Sequence, residues 1–212
     1  EIASCLVGSE MCIRDSILYT NPMSRGRIAR WMLEEVGVPY ETQILGYGPD
    51  GMKTSAYRAI NPMGKVPAIR HDGVVVTEVA AICAYLADAF PQAGLAPAHD
   101  SRERAPYYRW LFFTAGPLEQ AVVNKACGFQ STPEQGRMLG YGSYGNALDA
   151  LEAAVSAGDY LADGRFTAAD LYVGAHLGWG LAFGTIEKRP AFEAYAKRMS
   201  ERPAYRLSLI HI

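Results

Sequence analysis

The chain has 212 residues, half of them apolar and one-fifth charged, which suits one large domain or two small ones and is far from the composition of a disordered segment. Lysine and arginine total 20 against 22 aspartates and glutamates, a net charge of −2. With no basic excess, the balance offers no electrostatic footprint for nucleic acid or an anionic membrane surface. Four cysteines (Cys5, Cys12, Cys83, Cys127) are too few and too scattered for a disulfide scaffold, so a reducing, cytoplasmic setting is expected.

Residues 1–16 have neither the layout of a cleavable signal nor a clean amphipathic period. CLVGSEMCIRDS near the start and LSLIHI at the end resemble translated sequencing-adapter read-through. Residues 1–16 and 207–212 are therefore expected to be non-native tails, and no chemistry is assigned to Cys5, Cys12 or His211. Ile17–Thr20 is a short apolar run stopped by Asn21-Pro22, a strand and a break. From Arg25 to Val36 apolar residues recur at Ile28/Ala29, Met32/Leu33 and Val36, the spacing of one helix face, with Ser24 as N-cap and Gly37 as the closing glycine. Tyr40–Leu45 suits a second strand.

Gly46–Gly64 is turn-rich, with a short helix expected around Ser55–Ala59. Val66–Arg70 and Val74–Thr77 flank Asp72-Gly73, a strong hairpin signal, and Val79–Phe90 reads as a helix closed by Pro91. These elements make a thioredoxin-like α/β domain over residues 17–91. Residues 92–99, which follow Pro91 and contain Gly94 and Pro97, serve as a linker, and residues 100–206 read as an all-α helical bundle. Its segments are Arg102–Gly128 with a break at Gly116-Pro117, Glu134–Ala157, Thr167–Phe183, and Pro190–Ser200 with a proline at its start. The most apolar stretch, Tyr172–Ile186, is too short to span a bilayer, so it reads as a buried helix whose glycines allow close approach. Thr167 and Asp170 form a capping box, with Phe166 and Leu171 spaced as a hydrophobic staple, a structural device only.

Four motifs in this order, YTNPMSRGRIARWMLEEVGVPYE, NPMGKVPAI, TEVAAICAYLAD and FTAADLYV, resemble the glutathione transferase superfamily, and the likeness covers nearly all of Ile17–Arg206. The resemblance implies a homodimer, the first domain of each subunit facing the second domain of the other. It also implies that glutathione is held by Lys65, Val66, Pro67, Glu78 and Val79. A cis Val66-Pro67 bond would turn the Val66 N–H and C=O outward, where an extended peptide can add as a strand. Glu78 would hold the ligand's ammonium group, and the start of the third helix its glutamyl carboxylate. Position 79 departs from the family pattern: valine stands where a serine hydroxyl is usual.

A free thiol with a pKa of about 8.5 is mostly protonated at neutral pH. A hydrogen bond to the charged form is worth about 1.5–3 kcal/mol, so one well-aimed hydroxyl can bring the thiol near neutrality. The hydroxyls near the end of the first strand are Tyr19, Thr20 and Ser24. Ser24, in the turn where serine-type transferases place their activating group, is the expected catalytic residue, with Tyr19, Asn21 or a backbone donor as the other options. No Cys-x-x-Cys is present, and no cysteine lies between Ser16 and Thr77, which argues against disulfide chemistry. Cys83 and Cys127 are expected to be inert. His71, His99 and His176 show no metal-ligand spacing, so no metal is expected.

An apolar electrophile is expected to lie between the domains, with Tyr108, Phe112 and Trp179 as candidate lining residues. The leading function is thiolate attack on such an electrophile. The alternative is a glutathione-binding or interaction module without turnover.

Overall fold

The computed structural model describes residues 16–209; the expected N-terminal tail falls almost wholly outside them. The chain forms two compact units, one ending at Ala93 and the other Gly94–Arg206, after which Leu207 rejoins the first. The first unit contains β1 (Ile17–Thr20), α1 (Gly26–Val36), β2 (Glu41–Ile44), α2 (Ser55–Arg58), β3 (Ala68–His71), β4 (Val74–Thr77) and α3 (Val79–Ala89). The sheet order is β2-β1-β3-β4: β1 runs parallel to β2 and antiparallel to β3, which pairs antiparallel with β4. This is the thioredoxin-like α/β arrangement expected from the order of elements.

Local chemistry accounts for the boundaries. α1 buries Ile28, Ala29, Met32, Leu33 and Val36, the stripe read from the spacing, and ends where Gly37 turns left-handed at φ 76° and donates its N–H to Leu33 O at 3.0 Å. Between β3 and β4 only Asp72 and Gly73 intervene, both at positive φ, as a tight hairpin of right-twisted strands demands.

The second unit is helical: α4 (Arg104–Phe113), a π-helical turn at Thr114–Leu118, α5 (Glu119–Ala126), α6 (Pro133–Gly136), α7 (Tyr144–Ser156), α8 (Ala168–Phe183) and α9 (Pro190–Ser200). α10 (Pro203–Leu209) closes the described chain and is an element the sequence reading lacked. The break expected at Gly116-Pro117 is the π-helical turn, where the proline ring is accommodated by a wider turn without ending the helical path. The expected single helix Glu134–Ala157 is corrected to two. α6 ends at Gly136, Gly142 takes φ 65°, and Ser143 restarts the helix by accepting the Asn146 N–H at 3.1 Å. Among the described residues no helix is long and apolar enough to cross a membrane.

Asp170 shows why the start of α8 is well defined. Its carboxylate is fully buried and accepts four bonds: from the Leu161 N–H, Thr167 N–H and Thr167 hydroxyl, each at 2.8 Å, and from the Tyr195 hydroxyl at 2.7 Å. The capping box is present as expected, and Phe166 and Leu171 are both buried.

Candidate functional site

Strand register assembles the site. Tyr19 pairs with Ala68, and Ala68 pairs with Thr77. One step further along each strand brings Thr20 and its following turn, Pro67, and Glu78 to the same end of the sheet.

At the end of β1 the side chains alternate between faces. Tyr19 points into a cluster with Met52, Tyr57 and Ala68; its hydroxyl accepts from Arg70 Nη2 and its ring lies 5.7 Å from that of Tyr57. Tyr19 is therefore a packed strand residue. Thr20 faces the other way and is buried, and its hydroxyl has no hydrogen-bond partner among the described residues. Any Cβ at Gly26 would overlap this hydroxyl, so the first residue of α1 has to be glycine.

Ser24 is 9% exposed. Its hydroxyl donates to Asn21 O at 2.7 Å and accepts the Gly26 N–H at 3.0 Å. The expectation that Ser24 is the N-cap is corrected by one position: Arg25 occupies the cap and its side chain makes no capping bond to the helix, while Ser24 satisfies the first helical N–H from outside. Asn21 O also takes the Ser24 N–H at 3.1 Å. The hydroxyl proton can thus turn to another acceptor and leave that carbonyl with one partner. Asn21 itself is tied to the β2 end, its Nδ2 donating to Leu45 O at 2.7 Å.

At the start of β3 the Val66-Pro67 peptide is cis, as expected. Pro67 is buried, Val66 half-buried and Lys65 exposed. The Lys65 carbonyl accepts from the Tyr57 hydroxyl at 2.7 Å and from Asn61 Nδ2 at 2.8 Å. No described residue takes up the N–H or C=O of Val66.

Glu78 follows β4 at φ 65° and ψ 121°, a backbone conformation costing a non-glycine residue about 1–3 kcal/mol. Its side chain is exposed and makes no hydrogen bond or ion pair among the described residues, and no side chain caps α3. The helix therefore presents uncapped N–H groups from Val79 onward, beside an unpaired carboxylate. Val79 is 7% exposed, its methyls packed.

Tyr108 and Phe112 lie on one face of α4 with ring centroids 6.3 Å apart, both exposed, and Arg104 Nη1 donates to the Tyr108 hydroxyl at 3.0 Å. Trp179 is half-buried on α8, its ring 6.0 Å from that of Phe183, and no described ring contact joins it to Tyr108 or Phe112. The structure thus pairs two of the three expected electrophile-lining residues with each other.

Cys83 is buried within α3, and burial pushes its thiol up to about 12, which keeps it protonated and unreactive at neutral pH. Cys127 is exposed at the end of α5. No group of three His, Cys, Asp or Glu side chains is arranged to hold a metal among the described residues.

Sequence reading did not single out Lys53, Tyr57 and Asn61, which anchor the loop before Pro67. Their partners are backbone carbonyls, and carbonyls leave no residue-type signal. Only Asn61 fell within one of the motifs, NPMGKVPAI.

The chain matches the family described as glutathione S-transferase, N-terminal domain, over residues 23–89, and the glutathione S-transferase, C-terminal domain, over residues 141–203. It is 32% identical over 149 residues to glutathione S-transferase GstA of Escherichia coli O157:H7, covering 69% of this chain and 73% of that protein. Among solved structures it resembles a glutathione transferase from Methylococcus capsulatus at TM-score 0.76 and 29% identity, over 92% of this chain and 97% of the other. It also resembles a sphingomonad glutathione S-transferase complexed with glutathione, at TM-score 0.74 and 30% identity, over 91% and 96% of the two chains. The motifs at residues 61–69 and 77–88 lie within the N-terminal match, and the capping motif at residues 166–173 within the C-terminal one. The chain belongs to the glutathione transferase superfamily.

Proposed function

We propose that the protein is an enzyme that binds glutathione at the end of the sheet where β1, β3 and β4 meet, and activates its thiol for attack on an apolar electrophile. The observation that carries this reading is the N–H and C=O of Val66, unpartnered among the described residues and set between the Ser24 turn and the uncapped start of α3. An extended peptide pairs with Val66 as an added strand. Its γ-glutamyl ammonium meets the Glu78 carboxylate, and its glutamyl carboxylate the N–H groups at Val79 and beyond. That placement leaves the cysteinyl sulfur toward the turn carrying Ser24. The Ser24 hydroxyl releases Asn21 O and donates to the sulfur, so the thiol gives up its proton to solvent. The thiolate then forms a carbon–sulfur bond at the electrophilic carbon as the bond to the leaving group breaks, the leaving group (halide, for an aryl halide) departing with its electron pair. Tyr108, Phe112 and Trp179 supply apolar surface on the helical unit. The family's habit also supports a cytoplasmic homodimer.

Retention on immobilised glutathione together with turnover of a generic aryl halide tests the assignment. Binding without turnover on several electrophiles would point instead to a glutathione carrier.

Position 79 gives a sharper test of ligand placement. Val79→Ser adds a hydroxyl able to donate to the glutamyl carboxylate. A bond to a charged group is worth up to about 3 kcal/mol, and one that displaces water about 1 kcal/mol, roughly five-fold in affinity. Calorimetric titration should therefore show several-fold tighter glutathione binding with the bound thiol's pKa unchanged. Because the valine methyls are packed, the variant should also lose about 1 kcal/mol of stability. Unchanged or weaker binding would remove Val79 from the glutamyl end.

A further inference from the structure

The loop ahead of Pro67 has three consecutive carbonyls, and all three are engaged from one direction. Met63 O and Gly64 O accept from Lys53 Nζ at 3.2 and 2.8 Å. Lys65 O accepts from the Tyr57 hydroxyl at 2.7 Å and from Asn61 Nδ2 at 2.8 Å, while Asn61 Oδ1 takes the Met63 N–H at 3.1 Å. The donors belong to α2 or to its immediate flanks. Gly64 stands at φ 56°, and a Cβ there would lie 2.7 Å from Met52 O and 3.2 Å from Lys53 Cδ, so the lysine stem lies directly against the loop. Lys53 pairs with no carboxylate among the described residues; both of its hydrogen bonds go to this loop.

Val66 precedes a proline and is therefore confined to extended backbone. In extended backbone successive carbonyls point to opposite sides. A Lys65 carbonyl pinned toward α2 turns that of Val66 the other way.

We propose that Lys53 and Tyr57 are positioning residues for the thiol-bearing peptide: by holding the Met63, Gly64 and Lys65 carbonyls toward α2, they present the N–H and C=O of Val66 for pairing. This rests on the glutathione reading above. Tyr57 is built for the task. Its ring is buried against Tyr19, its N–H is capped by the Thr54 hydroxyl at 3.3 Å, and burial pushes its own hydroxyl up to about 12, so it remains a donor throughout the working range.

The test is calorimetric titration of the full chain, Tyr57→Phe and Lys53→Met with two ligands: glutathione, and γ-glutamylcysteine, the same thiol peptide without its glycyl carboxylate. Tyr57→Phe keeps the ring and leaves Lys65 O the Asn61 bond, so the fold is retained. Each variant should weaken both ligands alike, by about three- to ten-fold, the span of one ordinary hydrogen bond, with the bound thiol's pKa unmoved. A loss confined to glutathione would mean that these side chains touch the glycyl end directly, and would overturn the proposal. Unchanged affinity in both variants would do the same while leaving the glutathione reading intact. No binding by the unaltered chain to either ligand would overturn both.

Discussion

Asp170→Ala is expected to cost the helical unit about 3–5 kcal/mol, because it leaves four buried donors without an acceptor. Each stranded donor costs about 1–3 kcal/mol, and shared relaxation holds the total below the simple sum. Measured against a typical stability of about 5–15 kcal/mol, this is a large share of the whole. Asp170→Asn should recover little, since its NH2 must face an N–H or hydroxyl that also donates. Tyr195→Phe, which removes only one of the four donors, should cost about 1 kcal/mol. Urea unfolding of the three variants orders them, and an alanine variant within about 1 kcal/mol of the parent would show that the carboxylate is not the organising acceptor. There is a pH signature too. Burial, outweighing the four donated bonds, raises the Asp170 carboxyl above its ordinary 3.8. The folded state therefore binds the proton more tightly than the unfolded chain, so stability from this group falls as pH rises from 3.8 toward the folded value. Neither the alanine nor the asparagine variant should show that slope.

Ser24→Ala should raise the pKa of the bound thiol by about one to two units, the worth of one charge-assisted bond. At a pH below the thiol's pKa, turnover should fall about ten- to a hundred-fold and recover as the pH rises through the new value. Affinity for neutral glutathione should hardly change. Titrating thiolate absorbance in the complex reads the shift directly. The variant also strands the Gly26 N–H, so a stability loss of about 1 kcal/mol should accompany it. An unmoved titration curve would transfer the role to a backbone donor or to the Thr20 hydroxyl, which lies buried and unpaired nearby; Tyr19 is already committed to Arg70.

Much of this could be read from residue order, because the relevant forces are local. Left-handed Gly37, the Asp72-Gly73 turn and the Thr167–Asp170 box each involve contacts within a few residues, where residue type and geometry are tightly coupled. The thioredoxin-like sheet and the helical second half followed from element order, and the site segments from motifs. Elsewhere the deciding contacts are distant or carry no signature. Nothing in the apolar period of Glu134–Ala157 shows that Gly142 turns left-handed and lets Ser143 begin a new helix. The direction of the Ser24 proton depends on a carbonyl three residues back, and the burial of the Thr20 hydroxyl on how closely α1 approaches β1. Lys53 reads as an ordinary surface lysine until the loop ten residues later folds over it.

The sheet's outer strand bears on behaviour in concentrated solution. β2 exposes all four of its residues and, among the described residues, pairs on one side only, with β1. A bare strand edge is a template onto which a stray chain can condense. Here the template is four residues long, follows Pro39, opens on Glu41 and gives way to Gly46, leaving a newcomer few backbone groups to grip and a charge to desolvate. Colloidal resilience is thus written into the shortness and polarity of that margin. A hydrophobic exchange at Glu41 or Gln43 would leave the core untouched and still turn the edge into a seed for precipitation.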